Sequence, residues 1–171
     1  MHSLSTVLQL KKNDEVCVVQ KSGGKLRFAY FVGYLLNPNV SFCAKGTRKG
    51  TTAEIKPGQI TYGSVSPNHG NGLVTSTGIF TAPVSGTYAF HFHALHWYQS
   101  KVSNISFRLN NHQVAGTYIK ESVTPSGRLY QMVAISVVLK LEENDVVDIF
   151  LSRGKLHCCS IYLSFKGYLL F

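Results

Sequence analysis

The chain has 171 residues, room for one ordinary domain or one domain plus a fragment. Its 44% hydrophobic and 15% charged content excludes a disordered chain, and no apolar run approaches the ~20 residues of a membrane-spanning helix, so no membrane insertion is expected. The net charge of +9 is spread along the chain; it favours anionic partners, and no nucleic-acid-binding module accompanies it.

Met1 is followed by a polar stretch without the charged and apolar regions of a signal peptide. Residues 6–36 read as strands. Val7, Leu8 and Leu10 lead into a turn at Lys11–Asp14, Val16, Val18 and Val19 follow, and Ser22-Gly23-Gly24 turns the chain into an apolar run from Phe28 to Leu36. This prefix repeats the end of the chain. VLQLKKNDEVCVV aligns with VLKLEENDVVDIF at 138–150, an offset of 145 − 14 = 131 residues, and VGYLL aligns with KGYLL. A period this long means tandem domains and not a solenoid. The expected organisation is therefore a fragment of a preceding domain at 1–36, a linker at 37–39, and a complete domain at 40–171.

Within the complete domain, Val40, Phe42 and Ala44 alternate as a first strand. Residues 45–58 read as a loop, Ile60 and Tyr62 as a short strand, and 66–78 as a second loop rich in glycine. The stretch 78–95, GIFTAPVSGTYAFHFHAL, reads as strand, tight turn and strand. Pro83 removes a donor and ends the first strand, and Ser85-Gly86 supplies the turn. Tyr88, Phe90, Phe92 and Ala94 then share one face, with Ala89, His91, His93 and Leu95 on the other. Strand 103–109 follows, then a turn at Asn110-Asn111, a strand at 114–119 and a turn at Pro125–Gly127. A long strand at 129–141, a turn at Asn144-Asp145, a strand at 146–151 and a last strand at 160–171 complete the chain. No helical period occurs, so the fold class is all-β, a sandwich or jelly roll.

Val40–Ala44, the run Thr77–Phe90, the stretch Leu139–Val147 and the closing Phe165–Leu170 together resemble the globular head of complement component 1q. That head shares its fold with the tumour necrosis factor ligands. Asn144 stands where the family prefers glycine. The resemblance covers 40–171 and, through the internal repeat, 6–36. It implies a ten-stranded jelly-roll β-sandwich, here with an extra N-terminal β-hairpin fragment. It also implies a secreted, extracellular homotrimer that recognises ligands and is not an enzyme. The ligands expected are anionic glycans or other microbial surface molecules, in innate-immune pattern recognition. The alternatives are a soluble ligand for a cell-surface receptor, of the tumour necrosis factor or cerebellin type, and a structural trimerisation module.

Candidate chemistry is sparse. His91 and His93 share a strand face and could bind one metal, but no carboxylate or cysteine lies nearby in sequence to complete a shell. Two solvated or contact histidines are the plainer reading, and such a pair can also act as a pH-sensitive contact. Loops 45–58 and 66–78 hold one acid, Glu54, which speaks against calcium, and no cofactor is expected. No nucleophile elbow is present. Lys101, Arg108, Lys120 and Arg128 are candidate contacts to phosphates or carboxylates of a glycan, against the alternative of an ordinary solvated surface. Asn39-Val40-Ser41 and Asn104-Ile105-Ser106 are N-glycosylation sequons, and Asn104 lies on a predicted strand, so its face must be exposed to carry a glycan. Of the four cysteines none forms a C-x-x-C pair; buried thiols are expected, and a Cys43–Cys158 bridge stays open.

Two or three strands cannot bury enough surface to stand alone, and the complete unit carries its own copy of them. Removing residues 1–38 is therefore expected to leave the melting temperature of 40–171 nearly unchanged. Unfolding on truncation would instead make the prefix an integral part of one larger sandwich.

Overall fold

The computed structural model describes residues 14–16, 39–47, 54–97, 100–120, 123–124, 127–128 and 131–171. The predicted N-terminal copy, 1–36, lies outside them except for Asp14–Val16, which are exposed.

The strands follow in chain order. They are β1 (Ser41–Lys45), β2 (Glu54–Ile55), β3 (Gly58–Gln59), β4 (Ser64–His69) and β5 (Leu73–Val74). Next come β6 (Ile79–Thr81), β7 (Gly86–Leu95), β8 (Val102–Leu109), β9 (His112–Lys120) and β10 (Val123–Thr124). The last are β11 (Gly127–Arg128), β12 (Met132–Leu141), β13 (Val146–Arg153), β14 (Leu156–His157) and β15 (Ser164–Leu169). No helix occurs among the described residues.

One antiparallel sheet runs β12-β7-β15-β1-β4, and a second runs β5-β6-β13-β8-β9 with β3 also paired to β13. The strands expected from the sequence at the central hairpin and at 103–109 are present. Three expectations are corrected. The loops 45–58 and 66–78 contain the short strands β2 and β5, and β3 and β4 lie partly within them. The short strand expected at Ile60 and Tyr62 does not form. Ile60 and Tyr62 are nonetheless buried, and their backbone N–H groups donate to the carbonyls of Ile149 and Thr75 at 3.0 Å each. Alternation therefore reported their burial correctly without a ladder. The last strand is shorter than expected, because 160–162 form a turn before β15.

Turn chemistry is where sequence and backbone agree most closely. Asn110, Asn111 and Asn144 all have positive φ, at 49°, 65° and 71°. Asparagine tolerates this region better than most residues with a Cβ, so Asn144 can serve where a glycine is usual.

The core lies between the two sheets and is built from rings. Phe90 of β7 is fully buried, with ring centroids of Phe42, Phe80, Tyr88, Phe107 and Phe165 all within 6.3 Å. Phe80 and Phe107 come from the second sheet, so this cluster joins the layers. Gly167 of β15 pairs with Phe90, and a Cβ there would stand 2.5 Å from Phe42 and 2.6 Å from Phe90. The two rings fill the space a side chain would take. Phe90→Ala is expected to cost about 3–5 kcal/mol by denaturant unfolding, and Gly167→Val about 1–3 kcal/mol through overpacking. An unchanged unfolding midpoint for Phe90→Ala would mean that the faces of β7 are reversed.

Candidate functional site

Period-two alternation puts the rings of β7 inward and its histidines on the outer face of the first sheet. Register then decides what stands beside them. His91 lies opposite Ser136 on β12 and Lys166 on β15, and Lys166 lies opposite Cys43 on β1. His93 lies opposite Ala134 and Ser164, with Lys45 beyond Ser164.

The contacts are specific. His91 Nδ1 is 3.0 Å from the Ser136 hydroxyl, and its Nε2 is 3.4 Å from that of Tyr168. His93 Nδ1 is 3.0 Å from the Ser164 hydroxyl. Lys166, although on the outer face, is 2% exposed. Burial first, and then the Lys166 charge, hold both histidines below their ordinary pKa, His93 at about 4. Both imidazoles are thus neutral at physiological pH. The Lys166 ammonium is itself lowered, first by burial, while Cys43 opposes this and Lys45 adds to it. His96 belongs elsewhere: it is buried, against the Ser103 hydroxyl at 3.0 Å and the Ser100 carbonyl at 2.7 Å.

The cationic candidates do not converge: Arg108 and Lys120 lie in β8 and β9 of the second sheet, Lys101 just precedes β8, and Arg128 belongs to the separate β10–β11 pair. Lys101 and Lys120 are exposed at one end of the β8–β9 pair, where Lys120 lies opposite Val102. Arg108 is six residues further along β8 than Val102, roughly 20 Å at about 3.4 Å per residue. Its guanidinium makes a two-bond contact with Asp148 of β13, Nε to Oδ1 at 2.7 Å and Nη2 to Oδ2, and lies 4.3 Å from the centre of the Phe150 ring. Arg128 lies in β11, and its side chain is outside the described residues. Both sequon asparagines, Asn39 and Asn104, are exposed. Asn104 sits on the outer face of β8 opposite Tyr118, itself 62% exposed.

Four carboxylates are committed to the fold, Asp148 by Arg108 and Glu54, Glu142 and Asp145 by other partners. Glu54 pairs with Lys155 at 2.8 Å, and Ser85 donates to Glu142 at 3.0 Å. Asp145 accepts from the Asn110 amide at 2.8 Å and from the Glu142 backbone N–H at 2.9 Å, which hold its pKa below the usual range. Among the described residues no group of three or more His, Cys, Asp or Glu could hold a metal. Cys43, Cys158 and Cys159 are free thiols, and the open Cys43–Cys158 bridge does not form. Lys166, Tyr168, Ser136 and Ser164 were not anticipated beside the histidines. The sequence signal for them was the alternation around Gly167, but the pairing of β15 with β7 could not be read from it.

The model of the C1q domain matches residues 41–170, most of the chain. This chain belongs to the C1q domain family. The globular domain of zebrafish complement 1qA protein is 22% identical, with a TM-score of 0.56 over 79% of this chain and 98% of that one. Eiger, a tumour necrosis factor from S. frugiperda, is 11% identical, with a TM-score of 0.61 over 79% of this chain and 94% of its own. These likenesses show the fold, the jelly roll shared by C1q and tumour necrosis factor domains. Among the described residues no helix is long and apolar enough to cross a membrane.

In this C1q domain Arg108 and Asp148 have side chains only 18% and 5% exposed. Arg108→Ala strands a buried carboxylate, and is expected to cost about 3 kcal/mol by denaturant unfolding. Asp148→Asn with Arg108→Gln should recover part of that loss. A neutral Arg108→Ala would mean that the pair adds nothing to the fold.

Proposed function

We propose that this chain is a secreted, extracellular, non-enzymatic recognition module that works as a homotrimer and binds anionic or glycan ligands of microbial surfaces. Membership of the C1q domain family supports the module. The observation that carries the ligand class is the charge of +9, combined with acids that are tied into turns and ion pairs. Positive potential attracts anionic ligands and raises their rate of encounter. Lys101, Lys120 and Arg128 are assigned the ligand contacts, while the Arg108 guanidinium is held by Asp148. The internal repeat supports reading 1–36 as the end of a preceding copy, so the module belongs to a tandem array. N-glycans at Asn39 and Asn104 accord with the exposure of both residues. A second reading, a soluble ligand for a cell receptor, draws on the likeness to the Eiger fold.

The test combines sedimentation with solid-phase binding to lipopolysaccharide, peptidoglycan and neutral glycans. A trimer is expected at concentrations on the order of tens of micromolar. Lys101→Glu with Lys120→Glu should weaken binding to the anionic surfaces at least about tenfold and leave the neutral glycans unaffected. A confirmed trimer that binds none of these surfaces at low salt would overturn the recognition reading. Nanomolar capture of one membrane protein would then favour the receptor ligand. Intact mass of protein secreted from eukaryotic cells, before and after enzymatic glycan removal, tests the two sequons.

A further inference from the structure

The outer face of the second sheet carries one ring that the fold does not bury. Tyr118 on β9 is 62% exposed, and among the described strand residues it is the one exposed aromatic side chain. Register sets it directly opposite Asn104 on β8, the acceptor of the Asn104-Ile105-Ser106 sequon. Directly opposite residues of an antiparallel pair share one face, with Cβ atoms about 4.5–5.5 Å apart. A group attached to the Asn104 amide therefore starts beside the Tyr118 ring.

The other side of Asn104 is less suited to hold such a group. β13 places Arg153 opposite it next to a register shift, and the Ser152 hydroxyl donates to the Asn104 carbonyl at 3.2 Å. Arg153 is exposed and charged, so covering it would cost its hydration. Along β9 the same face carries Gly116 two residues before Tyr118, with no side chain to crowd the ring. Two residues after Tyr118 stands the exposed Lys120, roughly 7 Å away at about 3.4 Å per residue.

We infer that Tyr118 seats the first sugar of an N-glycan on Asn104, and that the sugar held there screens Lys120 from anionic surfaces. The inference rests on the readings of Asn104 as a glycosylation site and of Lys120 as a ligand contact, and it couples them. The face of the ring is electron-rich and attracts the weakly positive C–H bonds on the flat side of a pyranose, and stacking removes apolar area of both from water. The covalent link forms between Asn104 Nδ2 and the anomeric carbon of an oligosaccharide diphosphate. The bond from that carbon to the diphosphate oxygen breaks, and the amide proton passes to solvent. Ser106 of the sequon is 7% exposed and its hydroxyl donates to Gln113 at 2.7 Å, so the sugar is attached before β8 and β9 pair. A bare Asn104 leaves Lys120 open and an occupied one covers it. Modification of one residue thus sets how strongly this face meets an anionic surface.

The test uses the full chain secreted from eukaryotic cells and carrying Asn39→Gln, so that Asn104 is the one sequon left. Asn104→Gln in the same background is the bare counterpart, and intact mass reports occupancy. The melting temperature of the glycosylated protein should exceed that of the bare one by about 2–4 °C. This gain should survive in Tyr118→Phe, which keeps the ring, and vanish in Tyr118→Thr, which keeps the strand preference. The bare protein should bind lipopolysaccharide at low salt at least about threefold more tightly than the glycosylated one. Secreted protein without sugar at Asn104 would overturn the inference and leave the ligand reading standing. An equal gain in Tyr118→Thr would overturn the seat, and equal binding by the two forms would overturn the screening. Binding by neither form would overturn the ligand reading and the screening together, while the melting series still decides the seat.

Discussion

The fold depends on one contact between layers, the packing of Phe90 among rings from both sheets. Phe107 and Phe80 reach it from the second sheet at 5.5 Å, and Phe42 and Phe165 flank it within the first at 6.3 and 6.0 Å. Offset and edge-on rings at such distances add to their burial the attraction between ring edges and faces. The cluster needs a neighbour with no side chain, and Gly167 supplies it on the adjacent strand. Once this is set, the alternate residues of β7 have no freedom. His91 and His93 must project from the opposite face, and β15 must set Lys166 beside His91.

The turns around this core show how the acids are used. Tyr88 donates its hydroxyl to the Val84 carbonyl at 2.7 Å, which holds the hairpin turn against its own strand. Ser85 then links that turn to the next one, donating to Glu142 and accepting from the Glu143 backbone N–H at 2.9 Å. Asp145 and Asn110 tie the β12–β13 turn to the β8–β9 turn. Two carboxylates therefore take part in this network at one end of the sandwich, Glu142 accepting from the Ser85 hydroxyl and Asp145 from the Asn110 amide and the Glu142 backbone N–H. Each such bond to an ionised group is worth more than a neutral one, and an unmet N–H in a turn is costly.

What could be read from the sequence was local. The hairpin at 78–95, the inward rings and the asparagine turns follow from alternation, proline and the left-handed tolerance of asparagine. The family resemblance rested on those residues, and residues 41–170 match the family. Longer-range facts were out of reach. Arg108 and Asp148 are forty positions apart and meet because β8 and β13 pair in one register. Nothing in either segment marks Arg108 as part of an ion pair and not a surface contact. Lys166 is seventy-five positions from His91, and the two stand side by side because β15 pairs with β7 in one register. Ile60 and Tyr62 were read as a short strand, yet they are buried outside any ladder, since alternation records which way a side chain points and not whether its backbone joins a ladder.

The distribution of charge follows from this division of labour. Acids gather in turns and at two ion pairs, because there they meet donors. The first sheet receives none, so its outer face carries histidines that stay neutral beside Lys166, which is almost wholly buried. A neutral imidazole still bonds to a serine hydroxyl, as His93 does to Ser164, and so keeps a polar face ordered without a net charge. The second sheet behaves differently. Its buried carboxylate, Asp148, fixes Arg108 flat against Phe150, while Lys101 and Lys120 remain exposed at the other end of β8 and β9. The two layers of one sandwich thus differ in how they hold charge: the second pairs its buried carboxylate with an arginine, and the first sets neutral imidazoles beside a buried lysine.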